Sequence, residues 1–136
     1  MLKVAGSEVI LFLPPLPPDM LQYMRGYNYA YVDDLRTHFK AHGLVVHDYH
    51  DPTTQINSTS DCEFIDGMHG GDVLYARILL NMAQSEPLLR AVIDQQYMTK
   101  IASAYSGLAM IPNHNITQLP EIDFLCFECK KNVNPD

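Results

Sequence analysis

Six residues, Glu8 to Leu13 (EVILFL), form a nearly continuous apolar run with β-branched members, stopped by Pro14 and Pro15, and they limit the folds open to this chain more than any other stretch. A strand without polar alternation is one buried on both faces, and such strands belong to parallel sheets covered by helices. A helix is expected next. Asp19 can cap it, and Met20, Met24, Tyr27, Tyr31, Leu35 and Phe39 recur every three or four residues along it, with Gly26 placed where it would kink or split. Gly43, just past His42, is the expected stop, and Leu44 to His47 (LVVH) reads as a second short buried strand. Strand, helix, strand in this order predicts a βαβ unit with a right-handed crossover.

From Asp48 to Asp61 the chain is rich in Asp, Thr, Asn and Ser and carries no periodicity, so it reads as a loop. Gly70 and Gly71 lead into Asp72, a good cap for a helix through Val73, Ala76, Leu79, Leu80 and Ala83. Ser85 and Pro87 restart the chain as a further helix carrying Leu89, Val92, Ile93, Ile101 and Tyr105. Residues 107–136 read as an irregular tail, in which Ile122 to Phe127 (IDFLCF) fits an edge strand or an apolar segment lying on the sheet. Two strands are few, because open parallel sheets commonly have about five or six. The whole, residues 1–136, is expected to be a single α/β domain, the C-terminal part of a larger one.

Composition narrows the partners. A net charge of -7 argues against nucleic acid or anionic lipid, either of which needs clustered Lys and Arg. The longest uncharged apolar stretch, Val9 to Leu16, is broken by proline and too short to span a bilayer, and the N-terminus has no signal-peptide pattern. Three cysteines make no disulfide framework; Cys126 and Cys129 form a C-x-x-C that lacks a second pair for zinc, so ordinary thiols are expected. No cofactor motif is found and no cofactor is expected, and the compartment is left open.

The stretch FIDGMHGGD, Phe64 to Asp72, places an acid three positions before a histidine on a tight turn. Asp66 can accept a hydrogen bond from Nδ1–H of His69, which leaves Nε2 free to take a proton from a nucleophile. Gly67 permits the turn, while Gly70 and Gly71 leave room for substrate or neighbouring backbone. With 11 Asp and six His in the chain, such a spacing arises by composition alone with odds on the order of a third. Asp66 would then only stabilise a turn through its own backbone.

The order EVILFLPP, long helix, GLVVHDYHD, polar loop, F-x-D-G-x-H-x-G-D, apolar helix resembles the C-terminal half of the SGNH (GDSL-type) hydrolase superfamily, nearest the branch of cell-envelope O-acyltransferases and D-alanyl-lipoteichoic acid transfer proteins. The similarity covers about Glu8 to Ala83. It implies a three-layer flavodoxin-like sandwich with a parallel sheet, here without its N-terminal strands. It also implies serine-dependent chemistry on an acyl ester, with Asp66 and His69 as acid and base and Asp48, His47 and Gly70 beside the substrate. The family's G-D-S block and its later oxyanion residues have no counterpart here, so a fragment inactive alone is expected. Two other readings stand beside it. His47, Asp48, His50 and Asp51 form an H-D-Y-H-D cluster that His69 could join as a metal-binding hydrolase module. Tyr23, Tyr27, Tyr29 and Tyr31 with Met20 and Met24, mostly core by spacing, would suit a non-catalytic interaction domain. An unpaired strand edge predicts a homo-oligomer.

Overall fold

The computed structural model describes residues 8–27, 29, 31–56, 59–111 and 129. Strand β1 (Leu11–Leu13) and strand β2 (Val46–Asp48) pair in parallel, with Leu11 opposite Val46 and Leu13 opposite Asp48. Helices α1 (Pro18–Gly26) and α2 (Tyr31–Ala41) run between them, so the expected βαβ order is present in a mixed α/β chain. Each strand is only three residues long. Leu13 is buried, but Phe12 and Val9 are 41% exposed and Val45 is 80% exposed, contrary to the double burial that the apolar runs predict. An apolar run reports a preference for cover; how many layers supply it depends on the rest of the fold.

The predicted long helix is two helices, and α1 ends at Gly26. Asp19 is not its cap. Pro17 takes that position, and Asp61 from a distant loop accepts the Asp19 backbone N–H at 3.0 Å. Leu21 and Val32 are the buried residues of the two helices, whereas Tyr23, Tyr27 and Tyr29 are 60–64% exposed. The tyrosine stripe expected in the core is therefore a surface patch. Its rings shield one another, with centroids 4.8 Å apart for Tyr23 and Tyr27 and 6.5 Å for Tyr27 and Tyr29. Gly43 ends α2 as expected, with φ +62°; its N–H reaches the Lys40 carbonyl and the Leu44 N–H the Phe39 carbonyl, the paired bonds that satisfy a helix's last acceptors.

The core is built on α3 (Asp72–Ser85), where Leu74, Ile78 and Met82, four residues apart, meet Tyr49, Ile56 and Phe64. Burying each such side chain contributes about 1.5–3 kcal/mol. Helices α4 (Pro87–Val92) and α5 (Gln95–Ala104) pack on α3. They replace the single helix predicted after Ser85 because Asp94 starts a new one, accepting the Tyr97 N–H at 2.9 Å. Among the described residues no helix is long and apolar enough to cross a membrane.

Cys62 and Cys129 are joined by a disulfide, with Cα atoms 5.3 Å apart. This corrects the expectation of ordinary thiols: the partners are 67 positions apart, a pairing made by folding that spacing does not reveal. Cys126 and the stretch 122–127 lie outside the described residues, as does most of the predicted tail.

Candidate active site

An antiparallel bridge between Phe64 and Gly70 closes the loop that carries the acid and the histidine. The Ile65 N–H donates to the His69 carbonyl at 2.8 Å, and the Gly71 N–H to the Glu63 carbonyl at 2.8 Å, so both ends of the loop are pinned. Within it the two carboxylate oxygens of Asp66 divide their work. Oδ1 accepts the backbone N–H groups of Met68 and His69, each at 2.7 Å, and so shapes the turn. Oδ2 stands 2.7 Å from Nδ1 of His69. Partial burial raises the Asp66 pKa, but the bonds from the His69 side chain and from the backbone of His69 and Met68 outweigh it and hold the carboxyl below its ordinary value. An ionised carboxylate only accepts, so Nδ1 carries the proton and Nε2 of the neutral ring is left as the acceptor. The His69 side chain is 75% exposed, against 37% for Asp66, which leaves the ring accessible.

The other residues singled out by the sequence are dispersed. His47 turns away to Glu86, with Nε2 2.8 Å from Oε1 at the start of α4. Asp48, at the carboxyl end of β2, accepts Nε–H of Arg36 at 2.6 Å and the His50 N–H at 3.0 Å. Burial raises its pKa, yet the Arg36 bond and the His50 N–H bring it below the usual carboxylate value. His50 is buried with its ring edge-on to Tyr31, and burial together with Arg36 lowers its pKa. Asp51 caps the 3-10 turn Pro52–Thr54 and pairs with Arg25 at 2.7 Å. Among the described residues no three His, Cys, Asp or Glu side chains form a group able to hold a metal ion, so His47, His50 and His69 are not brought together as the metal-module reading requires. Gly70 is buried, and the space a side chain would take there belongs to Leu74 and Tyr75, at 3.0 and 3.2 Å.

No family model, curated protein or solved structure matches this chain.

Two hollows adjoin these residues. A polar cavity of about 330 Å³ is lined by Asp48, His50, Asp51 and Asp33 with Arg25 and Arg36. An apolar groove of about 420 Å³ has both Leu16, which follows the proline pair after β1, and Met68, inside the D-x-x-H turn, in its lining. Leu16 also donates its N–H to the His50 carbonyl at 3.1 Å, so the loops that follow β1 and β2 lie together. Ligands of open α/β sheets bind beyond such strand ends. Met68 of the D-x-x-H turn and Leu16 of the loop after β1 line the same groove.

The sequence pattern gives no sign of what supports the turn. Glu63, fully buried beside Phe64, meets Arg77 of α3 at 2.8 Å and accepts the Gly107 N–H at 3.0 Å. Behind Gly71 lies the backbone of Ala109: a Cβ at 71 would collide with the Ala109 carbonyl oxygen and stand 2.7 Å from its Cα. Gly71→Ala is expected to cost about 1–3 kcal/mol through overpacking. Gly26→Ala, with nothing within 4 Å of the added methyl, should cost nothing measurable. Urea denaturation checks both, and equal midpoints for the two variants would show that the 109 segment does not rest on the turn.

Proposed function

We propose that Asp66 and His69 are the acid and base of serine-dependent ester chemistry in a flavodoxin-like, SGNH-type domain, acting on a hydroxyl nucleophile supplied from outside these 136 residues. The resemblance to that superfamily supports the reading. The observation that carries it is the 2.7 Å bond from Nδ1 of His69 to Oδ2 of Asp66, made by a ring that is otherwise exposed. An exposed pair of this kind adds little to stability. Its chemical consequence is larger, because it fixes the tautomer in which Nε2 takes a proton from an attacking hydroxyl and later returns it to the leaving group. Asp48 would then stand near the substrate as a fixed charge on Arg36, while His47 serves α4.

Long-range nitrogen NMR of the His69 side chain tests this first. At alkaline pH the wild-type ring is expected as the Nδ1–H tautomer, and Asp66→Asn should lose that preference. A wild-type ring protonated on Nε2 overturns the proposal. Hydrolysis of p-nitrophenyl acetate tests the second half. The chain alone should give no rate that His69→Ala changes, whereas joined to a G-D-S-bearing half-domain of the same superfamily it should gain an esterase rate that Asp66→Asn lowers by roughly 10⁴-fold. A robust rate from the chain alone, abolished by His69→Ala, would place the nucleophile inside the chain instead.

A further inference from the structure

The groove next to His69 is apolar along its whole length. Met20, Met24 and Met68, Leu16 and the rings of Tyr23 and Tyr31 form most of its wall, and among the described residues no charged side chain lines it. The neighbouring polar cavity, which shares Met24 and Tyr29 with it, is lined by two arginines and three aspartates. Among the described residues, charge is thus concentrated on one side of that shared wall. Three methionines give the groove flexible, polarisable walls that fit a chain of variable shape better than a rigid ring. Its volume of about 420 Å³ lies within the range of about 300–1,000 Å³ typical of small-molecule sites. Met68, the residue before His69 in the chain, is 62% exposed and lines the groove.

From this juxtaposition we propose that the groove binds the uncharged aliphatic chain of an acyl ester, longer than acetyl, with the ester carbonyl lying by Met68 and its neighbour His69. The identification of the chain as an acyl group rests on the esterase reading above. The affinity for an alkyl chain does not.

The chain contains seven methionines, which provide both probes and controls. Methyl-labelled methionine NMR of the intact protein is titrated with methyl acetate, methyl butyrate, methyl hexanoate and methyl octanoate. The expected result is saturable movement of the Met20, Met24 and Met68 methyls, with affinity rising about threefold per methylene. Met82 in the core and Met98 on α5 should stay still. Met20→Glu and Met68→Glu should each weaken methyl octanoate at least about tenfold by placing a charge against the chain. Cross-relaxation between the ester methoxy group and the His69 ring should be seen in the wild type. Methyl acetate binding as well as octanoate, or no response at the three methyls, overturns the groove proposal and leaves the tautomer test of the dyad untouched. Chain-length-dependent binding without contact to His69 keeps the groove and removes the esterase reading. Methyl shifts that follow protein concentration rather than ester, with a doubled mass by light scattering, would assign the groove to a second copy of this chain and overturn the proposal.

Discussion

Opening the bond between Cys62 and Cys129 is expected to lower the stability of the protein by on the order of 4 kcal/mol. The bridge joins positions 67 apart, so in the unfolded chain it closes a long loop, and the entropy it withholds from the unfolded state grows with the logarithm of that length. Cys62 sits in the 3-10 turn Asp61–Glu63, two residues before the bridge that closes the D-x-x-H loop. Loss of the bond therefore acts on the segment that leads into the candidate base. Urea denaturation with and without reductant, beside the Cys62→Ala/Cys129→Ala pair, gives the number. Non-reducing peptide mapping should recover residues 62 and 129 in one cross-linked species, and Cys126→Ser should leave that species intact. A shift below about 1 kcal/mol, or a map joining residues 126 and 129, would remove the bridge from the account. Such bonds persist in oxidising compartments, so their recovery from freshly lysed cells would also bear on where the protein works.

The features legible in the sequence are the ones whose causes are local. Two apolar runs and a glycine after a helix were enough for the βαβ unit, because strand propensity and the left-handed Gly43 are properties of a few adjacent residues. Asp66 and His69 lie three positions apart on a glycine-bearing turn, so their contact needs no distant partner. The break between α4 and α5 was obscured by Val92 and Ile93, whose apolar character continued the helical pattern past the real start at Asp94. What could not be read depends on segments that meet only after folding: Asp61 on the N–H of Asp19, Glu63 on Arg77, Cys62 on Cys129. The tyrosines of α1 show a different limit. Periodicity fixes which residues share a face, but cover for that face comes from elsewhere, and here Leu21 is buried while Tyr23 and Tyr27 are exposed. The dense H-D-Y-H-D stretch is a third case: four ligand-type residues in five positions, each with its own partner once folded.

Arg77→Met should be among the most damaging single substitutions in the chain, costing about 3–5 kcal/mol near neutral pH. The Glu63 side chain has no exposure and that of Arg77 has 12%, with Nη1 2.8 Å from one carboxylate oxygen and 3.0 Å from the other. Burial raises the Glu63 pKa above its ordinary value, opposed by the Gly107 N–H and by the Arg77 charge. Removing the arginine takes away one of those opposing groups and leaves a carboxylate in the core with the Gly107 N–H, so the folded-state pKa moves higher still. The sign of the pH dependence follows. A carboxyl whose pKa is raised on folding contributes most below its unfolded value, near 4.3, and that contribution is lost as pH rises through the folded value. The Arg77→Met deficit should therefore be largest at about pH 8 and shrink toward about pH 5, as Glu63 binds a proton and becomes neutral. Glu63→Gln/Arg77→Met should be more stable than Arg77→Met alone at the higher pH, because the amide brings no charge into the core and can still accept the Gly107 N–H. Urea denaturation of the wild type and both variants at the two pH values decides it. Equal deficits at both would show that the lost packing of the arginine stem, rather than an abandoned buried charge, is what the fold feels. Since Glu63 directly precedes the loop that holds Asp66 and His69, the same variant should also blur the His69 tautomer signal, linking a core ion pair to the geometry on which the proposed chemistry depends.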